Sequence, residues 1–387
     1  MRPPLQTVST GSVVAMVGFF SSFPIVLQGL ASVGASPMQA ASGLMAAALS
    51  MGLAGIVLSL WTRLPASVAW STPGAALLAV TAPVEAGFAG AVAGFLVAGA
   101  LTVLAGLWRP LARLAEAIPV PLAQAMLGGV LFTLCLAPVR GMVEAPAIIA
   151  PVVLAWFVLG RLNKLFAVPG AVLVAAVIIA VTADLSAADF GPLLTAPEWT
   201  APRFSYEAVL GIGVPLFIVT MATQNIPGIA VIRSFGYQPK AGPLFASVGG
   251  FSLLSAPFGA PATCLAAITA AMCANEDSHP DPGQRFWSAV FAGLFYCGLG
   301  LFAGLITAFA ALAPPMLVAS VAGLALLGVF ANSTAAALAH EDYREAAVIT
   351  FLVTASGITV FGLGGAVWGL LAGGVVQVAR GVWSAKV

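Results

Sequence analysis

Charge is what this chain has least of. Of 387 residues, 14 are Lys or Arg and 13 are Asp or Glu, so charged side chains make up only 7%. A soluble domain carries about 25% and turns them to water. Without them this chain has no water-facing surface, and its solvent is the lipid bilayer. A net charge of +1 excludes a nucleic-acid binder, which needs a basic face. The 2 histidines, His279 and His340, fall in expected loops, which argues against a catalytic set inside the membrane. The four cysteines, Cys135, Cys264, Cys273 and Cys297, lack metal-ligand spacing and read as small buried hydrophobes. No metal and no cofactor is implied. No region is polar enough for a separate soluble domain, and the largest polar stretch, Asp184 to Glu207, reads as a loop.

What is present is apolar sequence, 61% of the chain. Runs between charges and turn residues fall near 11–31, 38–60, 67–82, 86–107, 119–138, 143–160, 165–183, 207–232, 240–255, 257–274, 286–309, 313–338, 345–360 and 362–383. That makes about fourteen spans in an all-α membrane protein. With the first span starting inside, Arg2, Arg63, Arg109, Arg113, Arg161, Lys164, Arg233, Lys240, Arg285, Arg344, Arg380 and Lys386 fall on the inner side. Only Arg140 and Arg203 fall outside, as the positive-inside rule requires. Both termini are then cytoplasmic. A model with two fewer spans, in which 67–82 and 257–274 are re-entrant hairpins, is the competitor.

Many of the 27 prolines and 42 glycines lie inside the apolar runs, where a plain anchor avoids them. Broken helices at membrane depth need protein or a cavity around them, which points to a transporter or channel. The breaks recur in order. Pro24 precedes Ser32-Val33-Gly34-Ala35-Ser36-Pro37, and Pro227 precedes Ser234-Phe235-Gly236-Tyr237-Gln238-Pro239. The short third span opens at Pro73 and the short tenth at Pro261; the fifth opens at Pro121 and the twelfth at Pro315. Seven spans is an odd number, so the second half enters the membrane inverted. Carriers with that symmetry bind substrate near the midplane, between discontinuous helices.

The third and tenth spans therefore locate the candidate site. Each is expected to run extended and turn helical after its proline. Their N-termini would offer unpaired N–H groups and a partial positive charge to an anion. The alternative is that the prolines only kink packed helices. The eighth span carries Gln224 and Asn225, which are costly at this depth unless bonded. One is expected to contact substrate and the other to prop the broken tenth span; alternatively both bond carbonyls freed by Pro227. In the first span Phe20 and Ser22, with Gln28 a turn further on, face the same region, and Phe258 sits inside the tenth-span break. No acid lies mid-span; Glu85, Glu116, Glu144 and the 340–345 cluster are peripheral.

The strings T-M-A-T-Q-N-I-P-G at 220–228, S-F-G-Y-Q-P at 234–239 and G-A-P-A-T at 259–263 resemble the benzoate/proton symporter family of bacterial inner-membrane proteins. More distantly the chain is similar to uracil and xanthine permeases and to sulfate-type anion carriers. The resemblance implies seven plus seven inverted spans: a core at 1–117 and 207–311, and a gate at 118–206 and 312–387. It implies proton-driven uptake of benzoate or a related aromatic carboxylate by alternating access, and relatives of this kind are often homodimers. The substrate carboxylate would face N–H groups near Gly74 and Ala75 and from Gly259 and Ala260 to Ala262, with Thr72, Thr263, Gln224 or Asn225 adding hydrogen bonds. The ring would lie against Phe258 and Phe20, with Ser22 on the opposite wall. Small residues at Gly128, Gly129, Gly323 and Gly328 would let the two domains slide, although such residues are also ordinary helix-packing glue. Nucleobase permeases place acids on spans 8 and 10, where this chain has none. Another small anion or a nucleobase on the same fold, or a passive channel, remain the alternatives.

Overall fold

The structure is a computed structural model that describes residues 4–108, 110, 111, 113, 118–183 and 190–384. Arg2, Arg109, Glu116 and Lys386 lie outside the described residues, as do positions 184–189 of the expected outer loop. Residues 190–205 of that loop carry no helix.

The first apolar run is two helices, α1 (Leu5–Phe20) and α2 (Phe23–Ser32). The break follows from Pro24, whose ring would clash with the carbonyl of Phe20 and which has no N–H to give. Helix α3 (Pro37–Thr62) starts on a capping box: Ser36 Oγ accepts from Gln39 N, and Gln39 Oε1 accepts from Ser36 N at 2.9 Å. Strand β1 (Val68–Trp70) then runs into α4 (Thr72–Ala79), followed by α5 (Gly87–Leu107). The next group is α6 (Val120–Cys135), α7 (Ala137–Glu144), α8 (Pro146–Leu162) and α9 (Ala167–Thr182).

The second half opens with α10 (Ala208–Ser234). It holds two π-turns, Ala208–Gly213 and Met221–Asn225, each just ahead of Pro215 or Pro227. Widening the helix there takes up the missing N–H and the ring clash without a sharp break. After α11 (Ala241–Ser255) come strand β2 (Thr263–Leu265) and α12 (Ala267–Ala274). Helices α13 (Phe286–Leu301) and α14 (Ala303–Ala311) meet at a 55° bend. Then follow α15 (Pro315–Leu338), α16 (Arg344–Ala355), a two-stranded turn of β3 (Thr359–Val360) and β4 (Leu363–Gly364), and α17 (Gly365–Ser384).

Among the described residues, 8 helical segments are long and apolar enough to cross a membrane, or up to 9 if the bent pair is one span. Helices α4 and α12, at 8 residues each, reach about 12 Å, well short of a hydrocarbon layer about 30 Å thick. The helix expected straight after Pro261 starts later, at Ala267, because the chain first runs extended as β2.

One core cluster joins α1 to α5 with α10, α11 and α13 and reaches Met126, Leu127, Val130 and Leu326 of α6 and α15. A second binds α8 and α9 to α15 through Ile149, Val152, Ala171, Ala175, Leu317 and Val321. Gly128 and Gly129 lie against Phe351 and Thr354 of α16, and Gly323 against Leu134 and Pro138. These three contacts tie α6, α7, α15 and α16 to one another, and nothing lies within 4 Å of a Cβ at Gly328. The expectation of a sliding face is corrected accordingly for Gly128, Gly129 and Gly323, whose missing side chains are used for packing among these helices, whereas Gly328 packs on nothing.

Close approach does matter at Gly29, where a Cβ would lie 2.6 Å from the Ala75 carbonyl oxygen. Gly29→Val is expected to push α2 off α4 and cost about 1–3 kcal/mol. Gly328→Ala is expected to leave stability unchanged or slightly raised. Thermal unfolding of the detergent-solubilised variants checks both.

Candidate functional site

The two broken segments meet. β1 and β2 pair antiparallel, with Val68 opposite Leu265, Ala69 opposite Cys264 and Trp70 opposite Thr263. Ser71 N extends the ladder to Ala262 O at 2.8 Å, and Ala266 N donates to Ser67 O at 3.1 Å. Helix α4 leaves one end of this pair and α12 the other, so residues far apart in sequence start two short helices from opposite ends of one short ladder.

Side chains hold the crossing on every flank. Ser71 Oγ accepts from Gly74 N at 3.0 Å and from Thr220 Oγ1 at 2.8 Å, tying the start of α4 to α10. Asn225, fully buried, accepts from Leu265 N at 2.9 Å through Oδ1. It is thus the residue of the Gln224–Asn225 pair that props the second break, from the π-turn that frees it. Thr263 Oγ1 and Ser50 Oγ share a hydrogen bond of 2.7 Å, and Thr263 N donates to Ser252 Oγ. Trp70 Nε1 donates to Ser22 Oγ at 2.9 Å, docking β1 on the bend of the first run. Ser67 Oγ donates to Thr269 Oγ1 at the start of α12.

This accounting corrects the expected anion cradle. The Gly74 and Ala75 N–H groups are taken, by Ser71 Oγ and by Ser71 O. Gly259 N donates to Ala256 O and Ala260 N to Ser255 O, and Pro261 has no N–H. The donors near Gly74 and Gly259 therefore close turns. Helix α12 differs, because Ala266 gives it no side-chain cap and its first-turn donors are the kind left open at a helix start.

Of the expected site residues, Ser22, Asn225 and Thr263 converge on the crossing with Trp70 and Ser71, while Thr72 and Gln224 are half-buried beside it. Phe258 does not join them. Its ring stacks edge-on against Trp199 of the 190–205 loop, with centroids 5.5 Å apart, and its carbonyl accepts from Ser42. Gly259 needs its φ of +88° to turn the chain there, against Gly43 and Phe88. Phe20, with Phe23 and Pro24, instead lines an apolar cavity of about 450 Å³ shared with α9, α14 and α15. Ser71 was not anticipated from the sequence, although a Ser two residues before a Pro is a helix-start signal; its bond to Thr220 has no local signature.

A second cavity, of about 290 Å³, lies where the end of α4 and the start of α10 face α6, α16 and α17, and it holds Glu85 and Glu207. Glu207 Oε2 accepts from Glu85 N at 3.3 Å. The hydrogen bond to Glu207, helped by its charge, pushes the Tyr206 phenol above its ordinary pKa.

Asn225→Ala would leave the buried Leu265 N–H unpaired, an expected loss of about 1–3 kcal/mol. Ser71→Ala removes the cap of α4, an expected loss of about 0.5–2 kcal/mol. Both are read as lowered unfolding midpoints, with Asn225→Ala the larger.

The comparisons with known proteins agree over nearly the whole chain. Residues 2–379 match the family described as benzoate membrane transport protein. The chain is 40% identical to the inner membrane protein YdcO of Escherichia coli over 377 residues, 97% of this chain and 96% of that one. It is 29% identical to the benzoate membrane transport protein of Acinetobacter baylyi, across 95% of this chain and 93% of that one. Among solved structures, the transmembrane domain of the cyanobacterial bicarbonate transporter BicA superposes with a TM-score of 0.62 at 15% identity, covering 91% of this chain and 97% of that one. SLC26A9 superposes with a TM-score of 0.66 at 12% identity, covering 98% of this chain and 65% of that one. At such identities the likeness is one of fold. The mostly helical chain with its paired breaks belongs to the benzoate membrane transport family.

Proposed function

We propose that the chain is a secondary active transporter that imports benzoate or a related aromatic carboxylate with protons across the bacterial inner membrane. The observation that carries the reading is the β1–β2 crossing, from whose two ends the half-helices start, in a chain of the benzoate family. In this reading the carboxyl group sits at the start of α12, with Thr72 and Gln224 as side-chain partners. Asn225, Thr263 and Ser22 hold the frame, and the ring lies toward Phe20.

The same reading takes the chain as fourteen spans in two inverted sevens. In support, α3 packs on α13 as α11 packs on α5, the exchange of partners that such a repeat requires. The core would hold 1–117 and 207–311 and the gate 118–206 and 312–387, with both termini cytoplasmic. Their relative movement would expose the site to each side in turn. A homodimer is the expected assembly.

Uptake of radiolabelled benzoate into proteoliposomes tests this. Accumulation under an inward proton gradient, abolished by a protonophore and absent from protein-free vesicles, is expected. No protein-dependent uptake with or without the gradient would overturn the substrate class.

A further inference from the structure

The 190–205 loop is fastened to the helices of the core. Thr195 N donates to Leu301 O at 2.9 Å and Gly304 N to Thr195 Oγ1 at 2.6 Å, across the bend between α13 and α14. Glu198 N donates to Ser42 Oγ of α3 at 2.8 Å, Thr200 N to Pro257 O at 2.8 Å and Arg203 N to Ala89 O of α5 at 2.9 Å. Residues up to 206 fall in the gate as drawn above, yet this stretch is bonded to the core. Tyr206 and Glu207, which lead into α10, are held with it, and Glu207 adds its bond to Glu85 N.

The β3–β4 turn is fastened to other helices. Thr354 Oγ1 donates to Gly365 O at 3.4 Å and Trp368 Nε1 to Val360 O at 3.2 Å, so α16 and α17 carry the turn. Gly129 lies against Phe351 and Thr354, which adds α6.

The two groups meet at this turn. Tyr206 Oη donates to the Phe361 carbonyl at 3.3 Å. A Cβ at Gly362 would stand 2.7 Å from Glu207 Oε1, and one at Gly211 would stand 3.5 Å from Gly362 O. The side-chain bonds that hold the crossing and the loop stay within the core, whereas the Tyr206 bond reaches out of it. Behind the turn lies the cavity of about 290 Å³, lined by Leu77 and Thr81 from one group and Val130 and Thr354 from the other. Here the groups touch through a turn and not through close-packed helix faces.

Phe361 is held in an unfavourable conformation. Both turn residues are left-handed, Phe361 at φ +51° and Gly362 at φ +72°, the form of a two-residue hairpin that usually carries Asn-Gly. A bulky residue at positive φ costs free energy. The Phe361 side chain is 80% exposed, so burial within the protein does not offset that cost. What the conformation supplies is a carbonyl that meets Tyr206 and a glycine against Glu207.

We propose that the β3–β4 turn is a releasable latch. It pins α6, α16 and α17 to the start of α10 in the state seen here, and it lets go when the two groups move past each other. This rests on the reading above that transport proceeds by such movement.

Tyr206→Cys combined with Phe361→Cys tests the latch. Both positions are exposed, whereas the native cysteines are buried or half-buried. The paired variant is joined with a short, reducible bis-methanethiosulfonate in proteoliposomes, and benzoate uptake is compared with that of each single variant treated alike. Cross-linking is expected to lower uptake about tenfold or more, with recovery on reduction, because the conformational step is blocked. Complete cross-linking with uptake retained overturns the latch, and so does failure of the two cysteines to join.

A second arm needs no transport. Gly211→Cys places a thiol beneath the turn, in ordinary contact with Gly362 and Leu363. Adding Tyr206→Phe removes the hydrogen bond and is expected to speed alkylation of that thiol by a maleimide in detergent about two- to tenfold, the weight of one neutral hydrogen bond. An unchanged rate overturns the latch. If the protein without cross-linker takes up no benzoate, the substrate reading fails, and the alkylation rate alone decides the latch.

Discussion

The structure depends on six residues of main chain. Where β1 crosses β2, two stretches of non-helical backbone lie at the centre of an apolar protein, and each unpaired N–H or C=O there would cost several kcal/mol. Pairing the two breaks with each other removes most of that cost at once. Neither break is tolerable alone, so the halves of the chain must fold against each other before either short helix is stable. The surrounding bonds from Ser50, Asn225 and Ser252 serve the same accounting, closing donors that the ladder leaves over.

That accounting also sets what the site has left to offer. Ser71 stabilises α4 by consuming the donors that would otherwise attract an anion, whereas α12 starts without a side-chain cap. The two half-helices are therefore alike in length and unlike in chemistry. Polar groups in this chain are few enough that each bond made within the protein changes what remains for a substrate.

Much of this was legible in the sequence, because hydropathy and proline act locally. The apolar runs became helices near the expected limits, and Pro24, Pro73 and Pro227 marked real irregularities. The site was legible only in part. Asn225 was singled out as costly when buried, and its bond to Leu265 repays that cost. Phe258 and Gly259 were placed at the site because they precede Pro261, yet the chain travels on as β2 before α12 begins, which leaves Phe258 against Trp199 of the 190–205 loop. Gly128, Gly129 and Gly323 show the same limit: small residues reveal close packing but not which helix is packed. Ser71 and Thr220 are 149 positions apart, and only the fold brings them together.

The central claim is that benzoate occupies the crossing of the two breaks. Amide hydrogen exchange of the unmodified protein, with and without saturating benzoate, tests it most directly. The account predicts slowed exchange in two segments together, residues 70–76 and 265–270, with other spans little changed. Protection confined to the cavity around Phe20 and Phe309, or no protection in either break, would contradict it.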